Sequence, residues 1–471
     1  MISASILRRV REIAGPSNFL DSQEDRLVYS RDATPLLQQL PDAVVIPRSA
    51  AQIAALLKLA NAEGFRVVPR GSGTGLSGGA VPVEDSIVLL MTSWDKILEI
   101  DKTNRCAWVE PGVITGEFQS AVEKAGLFYP PDPASAAICT LGGNVAENAG
   151  GLHGLKYGVT KNYVLGLEVV LPTGEMLTLG GKAVKDVAGY NLKDLMVGSE
   201  GTLAVFTKIL LRLIPKPVFT MTIQAGFRAF PDMIEAIAQM HGAPITPSLL
   251  EFLDQTTLRC VESFAHCGLD PQWEGLLLIE LDGEPPVVNE HSRLVHDILK
   301  NCRAASCLTS CVPEQSLKLK AARKSAFSAL ARVKPTTILE DVTVPPSAIG
   351  EMMAFIHRTA AGKNLLFGNF GHAGDGNLHP TCLTDERDPA QIRPALEAFD
   401  AIFRETIRLG GTITGEHGIG LAKKDWLPQQ VGIPGIELMQ KIKDALDPSQ
   451  VLNPGKVFSV KPKCEGKYVV V

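Results

Sequence analysis

The sequence predicts an α+β fold in at least two domains. Three observations support this. The chain has 471 residues at 45% hydrophobic composition, enough to bury more core than one small module holds. Helix and strand patterns alternate from about residue 41 to 215. Beyond the Pro215-Lys216-Pro217 triplet glycines thin out, and amphipathic segments of helix length take over between short strands, as in a separate α+β domain.

Taken in order, "MISASILRRVREIAG" has its apolar residues broken by Arg8, Arg9, Arg11 and Glu12, so it reads as an amphipathic helix and not a signal peptide. "RSAAQIAALLKLANAEGF" opens with a capping box of Ser49 and Gln52, sets Ile53, Leu56, Leu57 and Ala60 on one face, and stops at Gly64. "FRVVP" is a strand feeding a glycine-rich loop, and "SIVLLM" beyond the loop is another. A helix follows over about 115–125, ending at Gly126, and "LGLEVVLP" and "TLAVFTKILLRLIP" supply further strands. In the second half "FPDMIEAIAQMHGAP" and "PSAIGEMMAFIHRTAAGKN" are helices and "GLLLIELDG" a strand. The tail "IPGIELMQKIKDALDPSQVLNPGKVF" reads as one amphipathic helix and a turn.

Charge and cysteines narrow the function classes. Lys and Arg total 46 against 51 Asp and Glu, a net charge near -5 without a long basic run, which argues against a nucleic-acid partner. No apolar run is long enough to cross a bilayer. Nine scattered cysteines are an odd number and few for this length, fitting a reducing compartment; the expected location is the cytoplasm, with any attachment to the inner membrane face made through a partner. Cys302, Cys307 and Cys311 match neither common ferredoxin spacing and lack a fourth ligand, so they read as free thiols.

Two glycine-rich stretches point to a ligand. "PRGSGTGLSGGA" contains a Gly-x-Gly-x-x-Gly spacing at Gly73, Gly75 and Gly78. A dinucleotide turn of that type needs a helix directly after it, and here a strand follows. The loop can still take positive φ and offer bare N–H groups to an anion. In "PPDPASAAICTLGGNVAENAGGLHGLKYGVT" small residues run from Ala134 to Gly154 with Asn144 and Asn148 between them. Such backbone suits close approach to a large flat ligand.

The second half holds a polar cluster. In "LLFGNFGHAGDGNLHPTCL" the Asp375-Gly376 pair predicts a two-residue hairpin turn. Counting outward pairs Gly374 with Asn377, Ala373 with Leu378 and His372 with His379, two imidazoles on one face at metal-sharing distance. "TITGEHGIG", with Glu416 and His417, can supply a third ligand; in an extended segment adjacent side chains point oppositely, so one of the two would ligate while the other faces substrate. A zinc hydrolase could use these parts, with His417 or Asp375 as base. It would have no need of two glycine-rich regions shaped around a ligand, which favours redox chemistry on a cofactor.

The motifs "PRGSGTGLSGGA", "TLGGNVAENAGGLHGLKYGVTKNYVLGLEVVLPTGE", "KDVAGYNLKDLMVGSEGTLAVFTKI", "GHAGDGNLH", "GEHGIGLAKKDWL" and "LDPSQVLNPGK" stand in order across about residues 40–458. Together they resemble the FAD subunit of glycolate oxidase and its relatives, the D-lactate and D-2-hydroxyglutarate dehydrogenases, flavoproteins of the vanillyl-alcohol-oxidase type. The resemblance implies an FAD-binding domain in two parts, 1–217 and a returning segment 425–471, with an α+β cap domain for substrate inserted at 218–424. It implies FAD contacts at Arg70, Gly71, Ser72, Gly73, Thr74, Gly75, Ser77 and Gly78, at Pro131, Asp132, Thr140, Gly143, Asn144 and Gly151, at Glu200 and Gly201, and at Asn453. The first loop has Thr74 and Leu76 where some relatives carry a histidine that attaches FAD, so FAD is expected to be non-covalent. Relatives often have arginine at His153. The resemblance also implies a divalent metal (zinc, manganese or iron) on His372, His379 and Glu416, His417 as base, and Arg323 gripping a substrate carboxylate. The expected reaction oxidises a 2-hydroxy acid, with hydride passing from C2 to flavin N5. Phe327, one turn beyond Arg323, is apolar and favours glycolate or D-lactate over a dicarboxylate such as D-2-hydroxyglutarate. A non-catalytic FAD-binding subunit would have no use for the metal and base residues. Electrons would pass on to oxygen, a quinone, an electron-transfer flavoprotein or an iron-sulfur subunit.

Overall fold

A computed structural model describes residues 1–459. Three sheets surround one large cavity. The first is formed by Phe19–Leu20, Ala43–Val45, Ser86–Leu90 and Arg66–Arg70 in that spatial order, the last three parallel. These three are buried along nearly their whole length, as parallel strands covered on both faces are. The helix Ala50–Glu63 connects two of them. Ser49 Oγ accepts from Gln52 N–H at 3.2 Å, while the Gln52 side chain accepts from Arg48 N–H at 2.7 Å, one residue outside the position a capping box uses. Gly64 closes the helix at φ 78°. The neighbouring parallel strands Arg66–Arg70 and Ser86–Leu90 are joined by the glycine-rich loop itself and no helix, so the dinucleotide turn is absent as the sequence predicts.

The second sheet is antiparallel, in the order Ile97–Asp101, Cys106–Val109, Val205–Arg212, Val164–Val170 and Met176–Gly180. Helices Thr115–Lys124 and Leu141–Glu147 bury Phe118, Val122, Leu141 and Val145 against it.

The third sheet has eight antiparallel strands within residues 219–384. Its two faces follow the strand period of two. Leu250 and Phe252 join the core beneath helices Phe230–Gly242, Pro285–Asn301, Ile349–Gly362 and Pro389–Arg408. Leu253 and Phe370 turn to the opposite face, under helices Gln255–Ala265 and Pro313–Leu330. Glu251 and His372 share that second face, which borders the cavity.

The tail helix Leu427–Leu446 is broken at Gly432, where φ is 74°. The chain then returns to the first sheet: Val67 N–H donates to Val451 O at 2.8 Å and Asn453 N–H to Val67 O at 2.9 Å. Residues 460–471 of the expected C-terminal segment lie outside the described residues.

Candidate functional site

The hairpin Leu366–His372 and Asn377–Thr384 carries two of the three metal-ligand candidates, in a register that corrects the sequence expectation. His372 lies opposite Asn377, and His379 opposite Phe370. The turn has four residues, Ala373 to Gly376, because neighbouring strands engage it: Gly374 N–H donates to Leu250 O at 3.0 Å and Gly376 O accepts from Val344 N–H at 3.0 Å. The pairing is displaced by two residues, so both histidines stay on one face as diagonal neighbours. Their ring centroids are 5.2 Å apart.

Glu416 completes the cluster, its Oε1 lying 3.4 Å from His372 Nε2 and 3.2 Å from His379 Nε2. One ligand atom from each of the three falls within 4.8 Å of the others, as two imidazoles and a carboxylate around one divalent ion require. Burial alone would push Glu416 up, but His372 and His379 outweigh it and hold the carboxyl well below its ordinary range. Burial pulls His372 down, and Glu251 and Glu416 more than reverse it. Glu251, fully buried, accepts from His372 Nδ1 at 2.6 Å. That leaves Nε2 facing Glu416, the arrangement in which an outer carboxylate orients a metal-binding histidine.

The segment around Glu416 is a bend and not a strand, so Glu416 and His417 face the same space instead of opposite sides. Asp341 Oδ2 gathers the N–H groups of Gly415, Glu416 and His417, each at 2.9 Å, and the Thr414 hydroxyl at 2.7 Å. The His417 ring stacks on His379 with centroids 5.4 Å apart, its Nε2 3.8 Å from Glu416 Oε1. Burial pulls His417 down to about 4 against the opposing pull of Asp341 and Glu416. The imidazole is therefore neutral near pH 7 and able to accept a proton.

Arg323 projects from the Pro313–Leu330 helix into the same region. Its Nε donates to Glu251 Oε2 at 2.6 Å, and its guanidinium lies over the Phe370 ring at 4.8 Å. Among the described residues its Nη groups make no hydrogen bond within the protein. Glu251 and Asp341 are absent from the sequence expectation. Each was signalled only by a carboxylate set in an otherwise apolar strand or at a strand end, in "SLLEFLD" and "LEDVTV".

The cavity measures about 1080 Å³ and joins this polar cluster to the glycine loops. Arg70, Gly71, Ser72, Gly73, Thr74, Gly75, Asp132, Thr140, Gly143, Asn144, Gly151, Glu200 and Gly201 line it together with Arg323, His372, His379, Glu416 and His417. Ser77, Gly78, Pro131 and Asn453 stand behind its wall. Gly78 N–H is taken by Thr34 Oγ1 at 2.7 Å, and Pro131 O by Gln119 at 2.9 Å. Asn453 Nδ2 donates to Gly79 O at 3.1 Å and Glu200 O at 2.9 Å. The Glu200 carboxylate accepts from Ile419 and Gly420 N–H at 2.8 and 2.6 Å, which ties the loop to the His417 segment. Among the described residues the backbone N–H groups from Gly71 to Ser77 have no acceptor within the protein, which fits a loop made for an anion. His153 bridges Asp132 at 2.8 Å and Glu280 of the third sheet at 3.2 Å.

Comparison with known proteins identifies the family. Residues 41–180 match the family described as "FAD binding domain", and residues 216–457 match "FAD linked oxidases, C-terminal domain". The chain is 48% identical over 459 residues to the glycolate oxidase subunit GlcD of Bacillus subtilis, covering 98% of both chains. It is 32% identical over 471 residues to D-lactate dehydrogenase of Anaerostipes hadrus, covering 97% of this chain and 98% of that one. The 4-ethylphenol oxidase of Gulosibacter chungangensis, at 19% identity, superposes with a TM-score of 0.80 over 98% of each chain, placing the fold with the vanillyl-alcohol-oxidase type of two-domain FAD protein. The chain belongs to the FAD-linked oxidases and is an FAD-dependent oxidoreductase of the group that holds the glycolate oxidase subunits and D-lactate dehydrogenases.

Proposed function

We propose that the protein oxidises a short 2-hydroxy acid, glycolate or D-lactate, to the 2-oxo acid. The observation that carries this is the meeting, in one cavity, of a phosphate-type glycine loop with two histidines, a carboxylate, a neutral histidine and a buried arginine. FAD, when bound, would supply the acceptor for a hydride from the substrate, and a divalent ion held by His372, His379 and Glu416 would supply Lewis acidity. Arg323, fixed on one edge by Glu251, offers its remaining N–H groups to the substrate carboxylate. His417 takes the hydroxyl proton; Asp341, fixing the backbone of residues 415–417, keeps its imidazole in place. Phe327 sets an apolar side chain on the cavity wall one turn beyond Arg323, between the polar side chains of Lys324 and Ser328 that line the same wall, and it supports a monocarboxylate only at its own position. FAD is held without a covalent bond, the 217 and 424 boundaries divide the FAD-binding parts from the substrate-binding one, and the residues lining the two glycine-rich stretches hold the cofactor.

The Bacillus relative is named as a subunit, which supports transfer of electrons from reduced flavin to a partner chain, an iron-sulfur or electron-transfer flavoprotein subunit, or to a quinone. Among the described residues no helix is long and apolar enough to cross a membrane, so a membrane acceptor would be reached through such a partner. Metal removal tests the site. Holoenzyme dialysed against a chelator should lose acid-dependent dye reduction while keeping its FAD, and regain it with zinc, manganese or iron(II). Full activity in protein shown to contain no metal would contradict the assignment.

A further inference from the structure

The side chain of Lys456 is 1% exposed, on the tail just after the Asn453 contact, and no role in the reaction above uses it. Its Nζ donates to Gly78 O at 2.7 Å and Gly79 O at 3.4 Å, and also to Val81 O. A buried ammonium reaching three carbonyls of one glycine loop is an expensive arrangement to keep without purpose. Its effect on the loop follows from peptide geometry. In a trans peptide C=O and N–H point in opposite directions, so drawing the Gly78 carbonyl to Lys456 turns the Gly79 N–H toward the cavity, which Gly79 lines. The Ser77 carbonyl is likewise held away, by Leu421 and Ala422 N–H at 2.8 and 3.0 Å. The carbonyls of Ser77, Gly78 and Gly79 are thus held away from the cavity and the Gly79 N–H is left toward it, while the Gly78 N–H goes to Thr34 Oγ1.

We propose that Lys456 is a positioning residue for the cofactor diphosphate: from behind the glycine loop it fixes the carbonyls of Gly78, Gly79 and Val81 outward and adds its positive charge to the field the loop presents. This rests on FAD lying with its diphosphate against residues 71–79. Asp32, Glu147, Glu200 and Lys424 face Lys456 from the surrounding segments. Burial pulls the amine down to about 7 against the opposing pull of the three carboxylates, so the charge behind the loop is lost within an accessible range of pH.

The test is equilibrium titration of the full-length apoprotein with FAD and, separately, with ADP between about pH 6 and pH 9. Wild-type affinity for both should fall as pH rises, because the ammonium gives up its proton. Lys456→Met should bind both about tenfold more weakly at the acid end, the loss of one charge-assisted contact set, with no further fall. Lys456→Arg, permanently charged, should hold its affinity throughout; a fall driven by Glu147 would survive in it. Wild-type binding by Lys456→Met, or the full wild-type pH dependence in Lys456→Arg, would overturn the proposal. If Lys456→Met does not fold, the arginine variant decides alone. Wild-type apoprotein that takes up neither FAD nor ADP would instead overturn the placement of the diphosphate on this loop.

Discussion

The Arg323 guanidinium meets Glu251 on one edge and the cavity on the other, and substitution separates the two roles. Arg323→Lys keeps a cation beside Glu251 but loses the planar fork; KM for the acid should rise roughly 10- to 100-fold, the equivalent of about 1.5–3 kcal/mol for a hydrogen bond to a charged group, with folding near wild type. Arg323→Ala should also lower stability by roughly 3–5 kcal/mol, since it leaves buried Glu251 without one of its two cationic partners, Arg323 and His372. Steady-state kinetics and denaturant midpoints check both, and an unchanged KM in Arg323→Lys would remove Arg323 from substrate binding. At this scale His372, His379, Glu416 and His417 stood out as polar residues in glycine-rich segments of an apolar chain, whereas Arg323, in "AARKSAF", was singled out only by the family resemblance. Glu251 and Asp341 were not legible. They act only through other residues, and their partners lie 121 positions away for Glu251 with His372 and 76 for Asp341 with His417, a relation that exists only once the sheet has formed.

The hairpin shows what element-level reading captures and where it stops. Asp375-Gly376 correctly marks a reversal, but the expected two-residue turn assumes an isolated hairpin. Here Leu250 and Val344 compete for the turn's backbone groups and lengthen it. Displacement by an even number preserved the face; an odd one would have sent one histidine into the opposite core. Gly376 has φ 77°, and a Cβ there would collide with the Val344 carbonyl. Gly376→Ala should therefore destabilise the protein by at least about 1–3 kcal/mol and lower its bound metal, read by denaturation and elemental analysis. Wild-type stability with full metal would show that the turn does not set the ligand geometry. The Glu416-His417 segment misled in a similar way: alternation of side chains applies to strands, and the carboxylate of Asp341 folds these residues into a bend.

At the scale of the whole molecule, the α+β character was legible because periodicity and glycine placement report local structure, while the two-part FAD-binding architecture was read only from the family resemblance. The meeting of the sheets around one cavity was not legible, since it depends on contacts such as that of His153 with Asp132 and Glu280. Burial pulls His153 down, but the two carboxylates raise it to about 10. A raised folded-state value means this bridge stabilises fully below the unfolded value of about 6.5 and is lost as pH climbs toward the folded one. Stability should decline across that window by up to about 5 kcal/mol, and His153→Gln should start lower and lack the decline; the same slope in the variant would assign it elsewhere. The central claim is a 2-hydroxy acid reducing bound FAD in this cavity, and it is tested most directly by anaerobic flavin absorbance after adding glycolate, D-lactate, L-lactate or D-2-hydroxyglutarate singly. Rapid bleaching by glycolate or D-lactate in the wild type, slowed about 10²–10⁴-fold in His417→Ala at unchanged FAD content, is the result expected. Flavin that stays oxidised with all four acids, or bleaches equally fast without His417, would contradict it.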